Sequence, residues 1–112
     1  MAAYVPDAGD FIWLTFNPQS GREQAGRRPG LVLSPRSYNQ RSALAIVCPI
    51  TKQAKGYPFE VVIRGSVGVD GVILADQIRS LDWTARRAER LGRCSPEILD
   101  EVLARLRALL GF

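Results

Sequence analysis

One stretch of the chain carries a complete helix signature, and it stands at the end. Ser95 is a good N-cap, Pro96 suits the first helical position, and Gly111 supplies the stop. Between them Ile98, Leu99, Val102, Leu103, Leu106, Leu109 and Leu110 recur at helical spacing and give a broad apolar face. Glu101 and Arg105 form a favourable i,i+4 pair off that face. An amphipathic helix needs a surface to pack on, so everything before Ser95 must build one.

The upstream segments are short, apolar and closely spaced, as in a sheet. "FIWLTF" from Phe11 to Phe16 reads as a buried strand. "NPQSGREQAGRR" reads as a loop longer than a hairpin needs. "PGLVLS" restarts a strand around Leu31 to Leu33, with Pro29 allowed only at a strand start or edge. "PRSYNQ" reads as a turn, and "SALAIVCPIT" as a third strand ending at or just after Pro49. "FEVVI" and "VILADQI" follow as strands, and "WTARRAERLGR" reads as one more. The sum is a mainly β chain with α, a small barrel or curled antiparallel sheet closed by the C-terminal helix. At 112 residues it is expected to form one domain over 1–112. The helix's apolar face is wide enough that part of it can pack on a second copy.

Composition narrows the chemistry. There is no histidine, which removes the usual acid–base residue near neutral pH and the commonest metal ligand. Cys48 and Cys94 have no metal-ligand spacing and read as reduced thiols of a cytoplasmic protein; no metal is expected. No apolar run approaches the roughly 20 residues that span a bilayer, and the N-terminus lacks a secretory pattern, so no membrane partner is expected. The net charge is +4, almost all from arginine, whose planar fork suits phosphate. That balance is compatible with nucleic acid without proving it.

Three polar segments can carry chemistry. "EQAGRRPG" sets Glu23, Arg27 and Arg28 just before a strand. Glu23 can accept a proton, and the arginines can hold a phosphate. Exposed charges are the rule, so charge alone favours a solvated turn. "TKQAKG" offers the Thr51 hydroxyl and Lys55 at a strand end, and a solubilising hairpin loop is its ordinary reading. In "ADQIRS", Gln77 can read a base edge or simply cap an element. Phe16 and Tyr38 near loop ends can stack on bases, whereas Trp13 and Trp83 read as core. The run from Arg86 to Arg93 lines either a nucleic-acid groove or a solvated strand face.

Taken together, "YVPDAGDFIWLTFNP", "EQAGRRPGLVLSP", "KGYPFEV" and "GVILADQIRS", in this order and spacing, resemble the MazF/PemK family of toxin endoribonucleases. The likeness runs from Tyr4 through the last helix. It implies a small SH3-like (CcdB/MazF/PemK-type) β-barrel with a C-terminal helix, acting as a homodimer. It implies cleavage of single-stranded RNA at short, ACA-like sites without metal or cofactor. The products would be 2′,3′-cyclic phosphate and 5′-hydroxyl ends. The implied partner is a cognate MazE-like antitoxin. By the same resemblance Glu23, Arg28, Thr51 and Lys55 are catalytic, and Phe16, Gln24, Arg27, Asn39 and Gln77 contact RNA. Relatives vary at the Arg27 position.

Two other classes share this sequence logic. A CcdB-like protein of the same fold poisons DNA gyrase without cutting RNA, but "EQAGRRP" with "KGYPFEV" belongs to the ribonuclease branch. A catalytically dead RNA-binding module is opposed by the presence of Glu23, Arg28 and Thr51 together.

Overall fold

The computed structural model describes residues 3–16, 26–65 and 68–112. Among the described residues seven strands and two helices follow one another: β1 (Asp10–Thr15), β2 (Arg27–Val32), α1 (Arg36–Ser42), β3 (Leu44–Thr51), β4 (Glu60–Val62), β5 (Val72–Leu74), β6 (Arg79–Asp82), β7 (Glu89–Arg93) and α2 (Pro96–Leu110). A 3₁₀ turn, Ala75–Gln77, joins β5 to β6.

β3 is the hub. Its first half pairs with β6, from Leu44↔Asp82 to Val47↔Arg79. Its second half pairs with β5 at Ile50↔Ile73 and Thr51↔Val72. Its other edge takes β2, from Gly30↔Pro49 to Val32↔Val47. β1 then pairs with β2 and with β7, all antiparallel. The sheet order is β4-β5-β3-β2-β1-β7, with β6 beside β3. The sheet curls but stays open among the described residues, with β4 and β7 at its ends. It matches the expected class of mainly β protein with a C-terminal helix.

Period-two alternation sorts the strands into two cores. Phe11, Leu31 and Cys48 point to the face that α2 covers, where Ile98, Val102 and Leu106 meet them. Ile12, Val32 and Val47 point the other way, into a cluster with Leu14, Phe16 and Leu81. Burying a side chain of this size stabilises the fold by about 1.5–3 kcal/mol. β1 is therefore buried on both faces, which is why its sequence is a continuous apolar run. α2 begins as expected: the Ser95 hydroxyl accepts from the Ile98 N–H, and Gly111 closes the helix in the left-handed region. Leu109 and Leu110, in its last turn, are exposed.

Two sequence expectations change. "PRSYNQ" is helix α1, not a turn. Its apolar content is too small for a periodic signal; what it buries is polar, Asn39. The stretch after Leu81 is strand only from Glu89 to Arg93: before it the Asp82 side chain accepts from the Thr84 and Ala85 N–H groups and turns the chain between β6 and β7. These bonds hold the Asp82 carboxyl below its usual pKa. Of the two places allowed for Pro29, a strand start or an edge, it takes the edge, within β2. It pairs with Trp13 on the β1 side, while pairing to β3 begins only at Gly30. Its missing N–H is thus tolerated where β2 is still an edge.

Candidate active site

β2 and β3 are antiparallel, so the start of β2 and the end of β3 lie side by side at one end of the sheet. There they wall an open groove of about 630 Å³. Arg28 comes from β2, Thr51 from the last position of β3, and Lys52 and Gln53 from the turn that follows. Trp13 of β1 and Leu91 of β7 also line it. Trp13 is only half-buried, so the core position expected for it is corrected. It shares the Phe11 face of β1 but lies two residues further along.

Two of the four expected catalytic residues meet here. Arg28 is exposed, with no hydrogen-bond partner among the described residues. The Thr51 oxygen accepts from the Gln53 N–H at 3.1 Å, which fixes the turn and leaves the hydroxyl proton available to donate. Thr51 is held from behind as well. Gly71, at φ 112°, passes so close that a Cβ there would lie 2.3 Å from the Thr51 carbonyl oxygen. Lys55 is exposed but not on the groove lining. Its loop is tied back by Glu60, whose carboxylate accepts from the N–H groups of Lys55 and Gly56. Glu23 and Gln24 lie outside the described residues.

Lys52, one of the two amines that the "TKQAKG" loop offers, is the one on the groove, although no role was expected of it. It pairs with Asp70 at 3.8 Å, both side chains about 80% exposed, an arrangement worth little in water. Its position directly after Thr51 was the available signal.

The expected RNA contacts divide differently. Gln77 is exposed on the 3₁₀ turn, away from the groove lining. Phe16 is 4% exposed and packs in the second core, with the Arg79 guanidinium 5.8 Å from its ring centre, so it presents no open face to a base. Asn39 is fully buried. Its amide donates to the carbonyls of Pro6 and Ser34, and its oxygen accepts from the Ser34 hydroxyl. It is a tie inside the fold, not a substrate contact. Arg27 keeps only 14% of its side chain exposed. Its donors are engaged by Thr15, Arg87 and Glu89. The Arg86–Arg93 run is also largely tied inward: Arg86 bonds the end of β1, and Arg90 and Arg93 reach the buried Asp10.

Both cysteines are free and buried. Burial pushes the Cys48 thiol up to about 12 and raises that of Cys94, so neither is a ready nucleophile. Among the described residues no group of three or more His, Cys, Asp or Glu side chains could hold a metal ion. None of the helices there is long and apolar enough to cross a membrane.

A curled sheet with one covering helix, and an open groove set with cations and a free hydroxyl donor, defines a small β protein suited to an extended polyanion. The family is shown by comparison. Residues 7–110 match the model of the PemK-like, MazF-like toxins of type II toxin-antitoxin systems, and the chain belongs to that family. The endoribonuclease toxin MazF of Escherichia coli strain K12 is 49% identical over 111 residues, 99% of each chain. The crystal structure of MazF from Deinococcus radiodurans superposes with a TM-score of 0.89 at 55% identity, covering 98% of this chain and 100% of that one. A MazE–MazF crystal structure from the same organism gives 0.89 at 54% identity, covering 97% and 99%.

Proposed function

We propose that this chain is the RNA-cleaving toxin of a type II toxin–antitoxin system, and that it cuts RNA in the groove between β2 and β3. The supporting observation is that Arg28 and Thr51, from neighbouring strands, line one open groove in a chain that matches endoribonuclease toxins end to end. The gyrase-poison reading has no comparable support.

The reaction is an internal transesterification of single-stranded RNA. The 2′-oxygen attacks the adjacent phosphorus, the bond from phosphorus to the 5′-oxygen breaks, the departing 5′-oxygen takes a proton from solvent water, and the products are a 2′,3′-cyclic phosphate and a 5′-hydroxyl. The nucleophile belongs to the substrate, so no activated water is required. Glu23 takes the 2′-hydroxyl proton. Arg28 holds the phosphate and stabilises the charge that builds on its oxygens. Thr51 donates a hydrogen bond from its hydroxyl to a phosphate oxygen. Lys55 adds positive charge from the adjoining loop. A guanidinium holds its protons tightly and is a poor acid, so the work of Arg28 is electrostatic.

The whole chain acts as one toxin unit in the cytoplasm. Its partner is a MazE-like antitoxin whose acidic segment lies across the basic surface and excludes RNA. It pairs with a second copy of itself, in keeping with the exposed Leu109, Leu110 and Phe112 at its C-terminal end.

The test is a long RNA incubated with purified protein in EDTA. Discrete bands with cyclic-phosphate ends are expected. Arg28→Ala should lower cleavage on the order of 10²- to 10³-fold, with unfolding unchanged because the side chain is exposed. Undiminished cutting by that variant would remove Arg28 from the mechanism.

A further inference from the structure

Arg27 and Arg28 are neighbours on β2, and neighbouring strand residues point to opposite faces. Their surroundings differ accordingly. Arg28 stands exposed in the open groove, whereas Arg27, which also lines that groove, turns its guanidinium toward β1 and the turn between β6 and β7. Its Nη1 donates to the Thr15 hydroxyl at 3.0 Å and to the Arg86 carbonyl at 3.3 Å. Its Nη2 donates to the Arg87 carbonyl at 3.1 Å and to the Glu89 carboxylate at 3.2 Å. The guanidinium also lies 5.9 Å from the centre of the Trp13 ring.

Arg86 answers from the other side. Its Nη1 donates to the Thr15 and Phe16 carbonyls at 2.9 and 2.8 Å, and its own carbonyl accepts from the Thr15 N–H. Arg87, beside it, has φ 54°, a left-handed conformation that only a well-determined surrounding holds in a non-glycine residue. Thr15 ends β1, and just beyond it the Phe16 N–H donates to the Gly26 carbonyl at 2.7 Å, next to the start of β2.

We infer that Arg27 and Arg86 form a reciprocal arginine clamp that locks the end of β1 and the start of β2 to the β6–β7 turn. They thereby act as positioning residues that hold Arg28, the next residue on β2, in the groove. This rests on the proposed cleavage reaction, but the clamp has a signature of its own. Arg27 would act through geometry, not through a phosphate contact, so charge without the planar fork would not suffice.

The experiment uses Arg27→Lys, Thr15→Val and their double variant in the full chain. Amide exchange at Phe16 is followed together with cleavage and with binding to an uncleavable 2′-deoxy RNA. Faster Phe16 exchange is expected in Arg27→Lys. Its kcat should fall on the order of tenfold or more, as small misplacements do. Affinity for the uncleavable RNA, and the salt dependence of that affinity, should stay within about twofold. Thr15→Val, which removes one acceptor without disturbing charge, should show a smaller change that is not additive with Arg27→Lys. Unchanged Phe16 exchange in both single variants overturns the clamp. So does a loss confined to RNA affinity with a shallower salt slope, which would make Arg27 a phosphate contact. A wild-type protein that cuts no RNA would refute the proposed reaction, while the exchange measurements would still decide the clamp.

Discussion

Asn39 shows how far a residue's identity can mislead about its task. A polar side chain beside an exposed tyrosine suggests a surface contact, and family likeness assigned it to RNA. Instead its amide group joins three chain segments: Pro6, Ser34 and, through its backbone carbonyl, the Trp83 indole N–H. Buried polar groups of this kind are hard to replace, because each lost partner leaves another group unpaired. Asn39→Ala should therefore lower stability by about 3 kcal/mol, seen as a lower urea midpoint with an unchanged slope. Its RNA affinity, measured below the unfolding transition, should be unaltered. A stable variant with weakened RNA binding would restore the substrate role. The groove's arginine and threonine were legible because a strand boundary sits beside each. The burial of Asn39 and the inward turn of Arg27 were not, because both depend on residues far away in sequence.

Elements were readable in proportion to how much apolar surface they bury. β1, β3 and α2 bury most and carried clear patterns. α1 buries almost nothing apolar, and β7 is mostly exposed, so neither left a periodic trace. One close approach links the elements to the site. Gly71 precedes β5 and runs against the end of β3, with its backbone in a region that favours glycine. Gly71→Ala would set a Cβ against the Thr51 carbonyl, so the end of β3 must move. Both stability and cleavage should fall, the second by at least about tenfold if Thr51 is displaced from the phosphate. Unfolding midpoints and cleavage rates on the same preparation separate the two effects. Wild-type activity in Gly71→Ala would mean that Thr51 need not be held there.

At the scale of the whole molecule, the N-terminal segment is fastened by one buried carboxylate. Asp10 accepts from the Tyr4 hydroxyl at 2.6 Å and from Arg93 at 3.1 Å, with Arg90 at 3.8 Å. Burial, then the hydrogen bond and charge of Asp10, raise the Tyr4 hydroxyl well above its ordinary value of 10.0. The folded state thus favours neutral tyrosine. That contribution is complete below the unfolded pKa near 10 and is lost as pH climbs from there toward the raised folded value. Urea stability should decline above about pH 10, and Tyr4→Phe should flatten that decline. An unchanged alkaline limb in Tyr4→Phe would assign the effect to another group.

The central claim is that the groove cuts RNA with the substrate's own 2′-hydroxyl as nucleophile. The direct measurement is an RNA with one cleavage site, compared with the same RNA carrying a single 2′-deoxynucleotide immediately 5′ of the scissile phosphate. The all-ribose strand should be cut to a 2′,3′-cyclic phosphate and a 5′-hydroxyl, and the substituted strand should bind but remain intact. Cleavage of the substituted strand at that phosphate would contradict the account.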